Sequence, residues 1–300
     1  MPDPKLCLAL VVGALLLSGA SNPASSADLG SGPPRRIEEQ AVPTTPWTLS
    51  FTPYGWLAGL NGSTTVKGRT TDIDVGAFRV LEDLDGVPWM SYAEARKGPL
   101  ALYNDIFYAP LRVDASGARS FGRVALDATL NVDIEQLVVE VGAAYEIAKW
   151  RSGTSFLPGD TAVDLLAGAR YWRQDVAINL ALSATLDVGG LALTRDRAIA
   201  RAGDVDWVDP LVGLRIRHQL APGHELLLRG DVGGFDVGSQ FSWNVLVAYS
   251  FQIAVDHGLT YSGILGYRAL AVDFEKGSGP TRYEYDVTQH GPLLGLTVHF

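Results

Sequence analysis

Between Trp47 and Phe300, apolar and polar residues alternate in short stretches. In the first of these, Trp47, Leu49 and Phe51 fall on one face, and Thr48 and Ser50 fall on the other. Successive side chains of a β-strand point to opposite faces, so each stretch predicts a strand with one apolar and one polar face. The pattern recurs in twelve spans: residues 47–58, 89–97, 100–108, 121–134, 137–150, 163–171, 176–186, 208–217, 226–232, 243–251, 261–269 and 291–300.

Two of the boundaries between spans depend on a change in which positions are apolar. Apolar residues occupy even positions from Val124 to Ile134 but odd positions from Leu137 to Ile147. The reverse change separates the span ending at Tyr171 from the one beginning at Val176. Such a change predicts a tight turn or a bulge, at Glu135-Gln136 and near Arg173-Gln174. Turns give twelve strands, and bulges reduce the count to ten.

The spans predict an all-β fold: a single closed antiparallel transmembrane β-barrel of twelve strands, with ten or eight as alternatives. No run of eighteen apolar residues is present for a membrane-spanning helix. Because every lipid-facing backbone group must be paired, a spanning sheet must close. Short periplasmic turns are predicted near 98, 135, 174, 221 and 254, and extracellular loops at 59–86, 110–120, 149–160, 189–205, 234–240 and 273–285, with a short helix at 76–84. A soluble periplasmic sandwich or propeller is the alternative.

The last ten residues place Phe300, Val298 and Leu296 on one face, and His299 and Thr297 on the other. This strand resembles the C-terminal signature of bacterial outer-membrane barrels, which the barrel-assembly machinery reads through an aromatic last residue. The resemblance makes Phe300, Val298 and Gly295 an assembly signal. Leu293 departs from the pattern, in which a polar residue is usual.

The resemblance extends over residues 47–300. It rests on the segments 54–62 (YGWLAGLNG), 231–239 (DVGGFDVGS), 266–268 (GYR) and 291–292 (GP). They are similar to a broad family of uncharacterised, porin-like outer-membrane β-barrel proteins of Gram-negative bacteria. The resemblance implies a fold and an outer-membrane location, with lipid and lipopolysaccharide as surroundings, and it implies no reaction.

The amino terminus predicts export. Lys5 precedes an apolar run from Leu6 to Leu17, and small residues end at Ala27, so residues 1–27 are predicted to be a cleaved signal peptide. Residues 28–46 are rich in Gly, Pro and Ser and predict a disordered periplasmic tether before the barrel at 47–300. The single cysteine, Cys7, lies within the signal, so the mature chain has no disulfide or thiolate metal site.

Charge narrows the class of partner. The formal net charge is −9 and no cluster of Lys and Arg is present, which argues against nucleic acid. On the polar faces, acidic and basic residues alternate and could line a pore for small polar solutes or ions, or could pair and fill the lumen. The candidate lumen-lining and constriction residues are Glu94, Arg96, Asp105, Arg170, Arg215, Arg217, Arg229, Asp231 and Arg268.

An enzyme is the remaining class of function to consider. The five histidines are scattered, and only His290 with Asp286 suggests a catalytic pair of the kind that an outer-membrane protease or lipid hydrolase needs. No metal or phosphate motif is present, so no cofactor is predicted. An acidic run from Asp72 to Asp85 could hold a divalent cation but is typical of a solvated surface. The sequence therefore predicts a passive porin-like channel or a structural barrel, and not an enzyme. A surface adhesion or interaction barrel stays open.

Overall fold

The computed structural model describes residues 46–66, 69–82, 84–121, 124–152, 159–188 and 191–300. The predicted signal peptide and all of the predicted tether except Pro46 lie outside these residues. Within the described ranges, no helix is long and apolar enough to cross a membrane.

Twelve strands of the described chain form one antiparallel sheet. They are β1 (Thr48–Trp56), β2 (Gly59–Val66), β3 (Arg69–Val75), β4 (Trp89–Lys97), β5 (Leu100–Phe121), β6 (Val124–Ser152), β7 (Gly159–Val188), β8 (Leu191–Ala221), β9 (His224–Gly234), β10 (Phe241–Asp256), β11 (Leu259–Lys276) and β12 (Tyr283–His299). A short helix, α1 (Ala77–Glu82), follows β3, and a single 3-10 turn (Gly279–Thr281) precedes β12.

Ten of these strands close into a barrel, in the order β1, β4 and then β5 to β12. Closure occurs where β12 pairs with β1, with Val298 opposite Phe51 and Gly295 opposite Tyr54. The last residue extends this seam, since the amide of Phe300 donates to the carbonyl of Leu49 at 2.9 Å. The predicted closed all-β barrel is confirmed, with the ten-strand alternative in place of twelve.

The other two strands lie outside the closed wall. β2 pairs with the first half of β12, from Val66 opposite Tyr283 to Gly59 opposite His290, and β3 pairs with β2. The prediction of a long loop at 59–86 is therefore wrong over most of its length. Its Thr-rich stretch alternates too weakly in hydrophobicity to be recognised as a hairpin. The short helix predicted at 76–84 is present as α1.

The predicted turns at Glu135-Gln136 and Arg173-Gln174 are wrong. β6 and β7 run straight through these positions, with Glu135 opposite Asp175 and Gln136 opposite Gln174. Glu135 and Arg173 are exposed on the outer face, whereas Gln136 and Gln174 are buried inside. The apolar positions change because the outer face of each strand turns from apolar to charged along its length, and the chain direction does not change.

Removing those turns reassigns the ends of the barrel. The turns at Gly98-Pro99, Pro222-Gly223 and His257-Gly258 lie at one end, together with the start of β1 and Phe300, and we call this the terminal end. β6 ends at Ser152 and β7 begins at Gly159 at the terminal end as well, so both ends of the predicted loop 149–160 lie opposite to the prediction, and residues 153–158 lie outside the described residues. Much of the predicted loops 110–120, 189–205 and 273–285 is strand. The loop at 235–240 lies at the opposite, far end.

The wall has unequal height at the far end. β4 begins at Trp89, opposite Tyr108, whereas β5 continues to pair with β6 as far as Phe121. β7 and β8 pair up to Val188 and Leu191. The strands β5 to β8 therefore project as a four-stranded sheet beyond the closed ring. Above β4 the wall has a gap between β3, which is the free edge of the outer hairpin, and β5; α1 and residues 84–88 follow β3 here, with Leu84 bridged to Leu111.

The two faces of the wall have opposite polarity. The outer face exposes large apolar side chains, including Leu102, Leu165 and Leu294 at 48%, 50% and 63% exposure. The inner face buries charged ones, including Arg170 and Asp164 at 0%. A soluble sandwich has the reverse arrangement, with a dry apolar interior. The soluble alternative is therefore not supported.

Candidate functional site in the barrel lumen

All nine predicted lumen residues point into the barrel. Their strands alternate strictly, and each residue is opposite another inward residue on the next strand, as Glu94 is opposite Ser50 and Arg215 is opposite Arg229. Six of the nine are buried and three are partly exposed. The apolar even positions from Val124 to Ile134 predict Asp133 on the inner face, but Asp133 lies on the outer face, where it pairs with Arg112.

Six charged residues form a central cluster across the barrel axis. They are Asp105, Glu140, Arg170, Arg229, Asp231 and Arg268. Arg170 lies 2.7 Å from both Glu140 and Asp231. Arg229 contacts the same two acids, and its Nη2 is 2.9 Å from Asp231 Oδ2. Each of these acids therefore bridges two guanidinium groups.

Neutral side chains connect Arg268 to this cluster. Asn244 accepts from Arg268 Nε at 3.0 Å and donates to Asp231 at 2.8 Å. Arg268 also lies 2.8 Å from Asp105, whose other oxygen accepts from the Tyr54 hydroxyl at 2.6 Å. The amide of Asn244 and the hydroxyl of Tyr54 carry no charge, so the charge pattern of the sequence does not predict their role. Their inward place in β10 and β1 is nevertheless visible in the alternation.

A second group, the terminal cluster, lies nearer the terminal end. It consists of Glu94, Arg96, Glu146, Asp164, Arg215 and Arg217. Asp164 is fully buried and accepts from Arg96, Arg215 and Arg217 at 2.8–3.1 Å. Glu94 pairs with Arg96 and Arg215, and Glu146 with Arg217 at 3.0 Å.

The two clusters are each electrically balanced. Each contains three carboxylates and three guanidinium groups in direct contact. Charges taken out of water are tolerated when they are paired and hydrogen-bonded. The geometry therefore uses the lumen charges to satisfy one another, and leaves no single-sign ring of charge among these twelve residues.

An aromatic plug closes the lumen on the far side of the central cluster. Trp172 and Trp207 stack at 5.6 Å, and Trp207 stacks on Phe274 at 4.0 Å. Trp172 is fully buried, and aliphatic side chains such as Leu270 and Val287 complete the layer. Arg268 lies over the Trp56 ring at 5.0 Å, which joins the plug to the central cluster. The sequence pattern left Trp172 and Trp207 just outside the predicted strands and placed Phe274 in the predicted loop 273–285, so it did not predict that they meet across the lumen.

Asp209 fixes the far-end loop above the plug. Its carboxylate accepts from the backbone amide and the hydroxyl of Ser239 at 2.7 and 2.9 Å. The Trp207 indole also donates to it, at 3.3 Å. Asp209 is thus a structural residue that ties the loop 235–240 to β8.

A cavity of about 550 Å³ extends from the terminal end past the terminal cluster, which lines part of its wall, to the central cluster. Polar and charged side chains make up most of its lining residues, including Ser50, Thr52 and Thr297, and Glu225 lies in its wall. Arg229 and Arg268 form its inner limit. The lumen is therefore open from the terminal end as far as the central cluster.

The histidines do not form a catalytic arrangement in the described structure. The two ring nitrogens of His290 contact the Tyr267 hydroxyl at 2.7 Å and Asn61 at 2.9 Å, on the outer face of the wall. The suggested pairing with Asp286 is not among these contacts. In the acidic run, Asp74 bonds to Asn61 and Asp85 to Arg112. Within the described residues no group of three or more His, Cys, Asp or Glu side chains is placed to hold a metal ion.

No family model and no curated protein matches the chain. Among solved structures, Ail, the attachment invasion locus protein of Yersinia pestis, matches at 9% identity, 85% coverage of this chain, 98% of its own and a TM-score of 0.28. A Pseudomonas aeruginosa FadL homologue matches at 8% identity, with coverages of 85% and 89% and a TM-score of 0.24. The translocator domain of the autotransporter NalP from Neisseria meningitidis matches at 10%, with coverages of 84% and 87% and a TM-score of 0.24.

These neighbours are Gram-negative outer-membrane β-barrels, and the chain described here is itself a closed β-barrel. With TM-scores below 0.5, the similarity does not extend to function.

Proposed function

We propose that the protein is an outer-membrane β-barrel whose lumen is closed to solutes, so that it serves the envelope as a structural barrel rather than as an open porin. The observation that carries this proposal is the charge-balanced central cluster across the barrel axis, backed by the aromatic plug. The proposal narrows the two functions predicted from the sequence to one.

The outer face supports the membrane location. Its apolar residues form a continuous band, which ends at a charged rim on the far side. The rim consists of Arg112, Asp133, Glu135, Arg173, Asp175, Asp204, Asp206 and Asp273. An outward apolar band bounded by charge is what a spanning barrel presents to lipid and water. A contiguous exposed apolar surface of this kind has no other partner in the described chain.

Aromatic side chains support the same placement. Trp47, Tyr145 and Phe300 are exposed near the terminal end, at 47%, 53% and 59%. Tyr171 and Tyr267 lie on the outer face nearer the far end. Aromatic girdles at the two interfaces are typical of outer-membrane barrels because the rings are at once apolar and polarisable.

Barrel size supports closure. Barrels of eight strands are filled by side chains, and those of sixteen leave an aqueous channel, so ten strands lie near the filled regime. Here the space is occupied by paired arginine side chains and then by three stacked aromatic rings. A permeating ion would have to replace ion pairs in the central cluster and then cross an apolar layer, where hydration is lost.

Planar-bilayer recording tests the closure. Purified protein, shown to be folded by a heat-dependent change in gel mobility, should insert and stay electrically silent. Discrete ohmic steps in the wild type, with an ion preference that changes in Arg229→Glu, would contradict the proposal and indicate a pore. An unrelated open porin, incorporated from the same detergent, controls for fusion.

Location is tested separately by cell fractionation. The mature chain should sediment with the outer membrane and require detergent for extraction. A mature protein that stays soluble without detergent, or that shows no heat-dependent change in gel mobility, would exclude the barrel from the membrane.

A further inference from the structure

A small pocket lies behind the gap in the wall above β4. It has a volume of about 120 Å³ and is distinct from the terminal-end cavity. Ala77 and Val80 of α1, with Leu84 and Pro88, cover it from outside, and residues of β1, β5 and β6 form its floor. The helix and the following segment therefore close a lateral opening that the short strand β4 leaves.

The walls of the pocket are almost entirely apolar. Trp56 and Phe107 meet edge to face at 5.5 Å and present aromatic surface to it. Aliphatic side chains and one thioether complete the lining: Leu57, Leu60, Val80, Leu84, Met90 and Leu111. Such walls offer dispersion contacts to an apolar guest and offer few hydrogen bonds to water.

Two glutamine side chains are the exception. Gln136 on β6 and Gln289 on β12 line the pocket and are only 4% and 2% exposed. Gln289 Nε2 donates to Gln136 Oε1 at 2.8 Å. The other two atoms of these amides, Gln136 Nε2 and Gln289 Oε1, are buried without a hydrogen-bond partner in the described structure. Rotating both amides by 180° exchanges their roles and again leaves one donor and one acceptor.

A buried amide donor and acceptor without partners are unfavourable, because each has lost its hydrogen bonds to water and gained none in the protein. One water molecule could satisfy both, but it would occupy only about 10–15 Å³ of a space that measures about 120 Å³. Further waters would find no polar partners on the apolar walls. A cavity of about 150 Å³ with similar walls accommodates a benzene ring.

We propose that this pocket binds one small neutral aromatic alcohol, of the size of a simple phenol. The ring lies against Trp56 and Phe107, and the hydroxyl donates to Gln289 Oε1 while it accepts from Gln136 Nε2. The pocket thus recognises the combination of an apolar ring and a single hydroxyl group. The proposal does not depend on whether the barrel conducts, since the pocket is separate from the clusters that close the lumen.

Isothermal titration calorimetry with p-cresol and toluene tests this assignment on the folded full-length barrel in detergent. The two probes share a methylated ring and differ by the hydroxyl. We expect p-cresol to bind at least tenfold more tightly than toluene. In Gln136→Met/Gln289→Met, which keeps side-chain length and removes both amides, the preference for p-cresol should fall at least tenfold.

Partition into micelles is separated from binding by two variants on α1. Val80→Trp fills the pocket from the surface helix and should abolish the saturable heat of both probes. Phe78→Trp is the matched control, because Phe78 is 78% exposed on the same helix and does not line the pocket. It should leave binding unchanged.

Three outcomes would overturn the proposal. One is p-cresol heat that is the same in the wild type and in Val80→Trp. Another is equal affinity for p-cresol and toluene in the wild type. The third is an unchanged preference in the double methionine variant. If the double variant does not fold, the comparison of Val80→Trp with Phe78→Trp still decides whether the pocket binds the ring.

Discussion

Arg170 and Glu140 face each other in direct register on β7 and β6, and Arg170 Nη2 lies 2.7 Å from Glu140 Oε2 in a fully buried contact. Glu140 also holds Arg229 from the opposite wall. The pair is therefore not a local cross-strand contact but one part of a connection across the barrel axis. Its removal has consequences for the whole ring.

Glu140→Ala should destabilise the barrel strongly. The substitution leaves Arg170 and Arg229 with Asp231 as their only acid, and breaking a buried ion pair from one side costs about 3–5 kcal/mol. Urea unfolding of the refolded protein in lipid vesicles measures the loss. Asp160→Asn removes the acid of an exposed cross-strand pair with Arg151 and should produce no measurable change. Equal midpoints for Glu140→Ala and the wild type would contradict the structural role of the cluster.

Closure by two layers in series predicts that neither layer alone controls conductance. Trp172→Ala/Trp207→Ala opens the plug but leaves the central cluster, so planar bilayers should remain silent. Adding Glu140→Ala/Arg170→Ala should produce small ohmic steps in whatever fraction folds, as monitored by gel mobility. Steps from the tryptophan variant by itself would show that the cluster does not close the lumen.

Phe300→Ala should reduce assembly more than stability. The Phe300 ring is 59% exposed on the outer face, and only its backbone amide bonds to β1. The yield of heat-modifiable protein in cells should fall, while the unfolding midpoint of the assembled fraction changes little. Phe241→Ala is the control. Phe241 is the first residue of β10, lies at the far end of the barrel and is 47% exposed. A similar yield for both variants would remove the assembly role.

Gly291 permits a close approach of backbones at the seam. A Cβ atom there would lie 1.8 Å from the carbonyl oxygen of Leu57, between β1 and β2. Gly291→Ala should therefore shift the unfolding midpoint by a destabilisation of about 1–3 kcal/mol. At Gly230 a Cβ would meet nothing within 4 Å, so Gly230→Ala should be close to neutral. An unaffected Gly291→Ala would mean that the seam can widen without cost.

Asp273 gives the barrel a specific dependence on pH. It lies in the charged rim, directly opposite Asp286, and the next outward pair is Glu275 with Glu284. Partial burial, together with Asp286 and Glu284, raises the pKa of Asp273 above its usual value. The folded state thus holds this proton to higher pH than the unfolded state does. The contribution of Asp273 to the free energy of unfolding is therefore fully present below the ordinary pKa, and it is lost as pH rises through the raised pKa.

Asp273→Asn should remove that loss. Above the raised pKa, the variant should unfold at higher urea than the wild type, by roughly 0.2–1 kcal/mol for a relieved like-charge pair across strands. Below the ordinary pKa the two should coincide. The double variant Asp273→Asn/Asp286→Asn should gain less than the sum of the single gains, because the repulsion is shared. A constant difference at every pH would assign the effect to something other than titration.

The alternation in the sequence was sufficient for the barrel and for the inward side of most strands, although it placed Asp133 on the wrong face. It placed Arg229 and Asp231 inside because a strand's period of two is independent of its partners. It could not show that Arg229 meets Glu140 across the lumen, since that contact depends on closure and strand tilt. Gln136 and Gln289 were missed because the sequence pattern placed Gln136 in a turn and Gln289 before the last predicted strand, whereas both lie inside the longer strands β6 and β12.

The strand count failed at a physically informative place. At Glu135 and Arg173 the hydrophobic pattern reverses because the surroundings of the outer face change, which the sequence cannot distinguish from a turn. The hairpin of β2 and β3 was missed because its residues, such as Thr64 and Thr65, lack a marked apolar face. The hydrophobic pattern of a segment reflects the surroundings of each side chain. Whether a strand continues through a change in that pattern depends on its pairing with the neighbouring strand.

The arrangement of β1 and β2 along β12 constrains the diameter of the barrel. Both strands pair with the same edge of β12, β1 from Ser50 to Trp56 and β2 from Gly59 to Val66. A slip of the closing strand against β1 would require an equal slip against β2. Strand number and stagger together set a barrel's diameter. The stagger of β12 is therefore fixed at two places, by its pairing with β1 within the ring and by its pairing with β2 in the hairpin outside it.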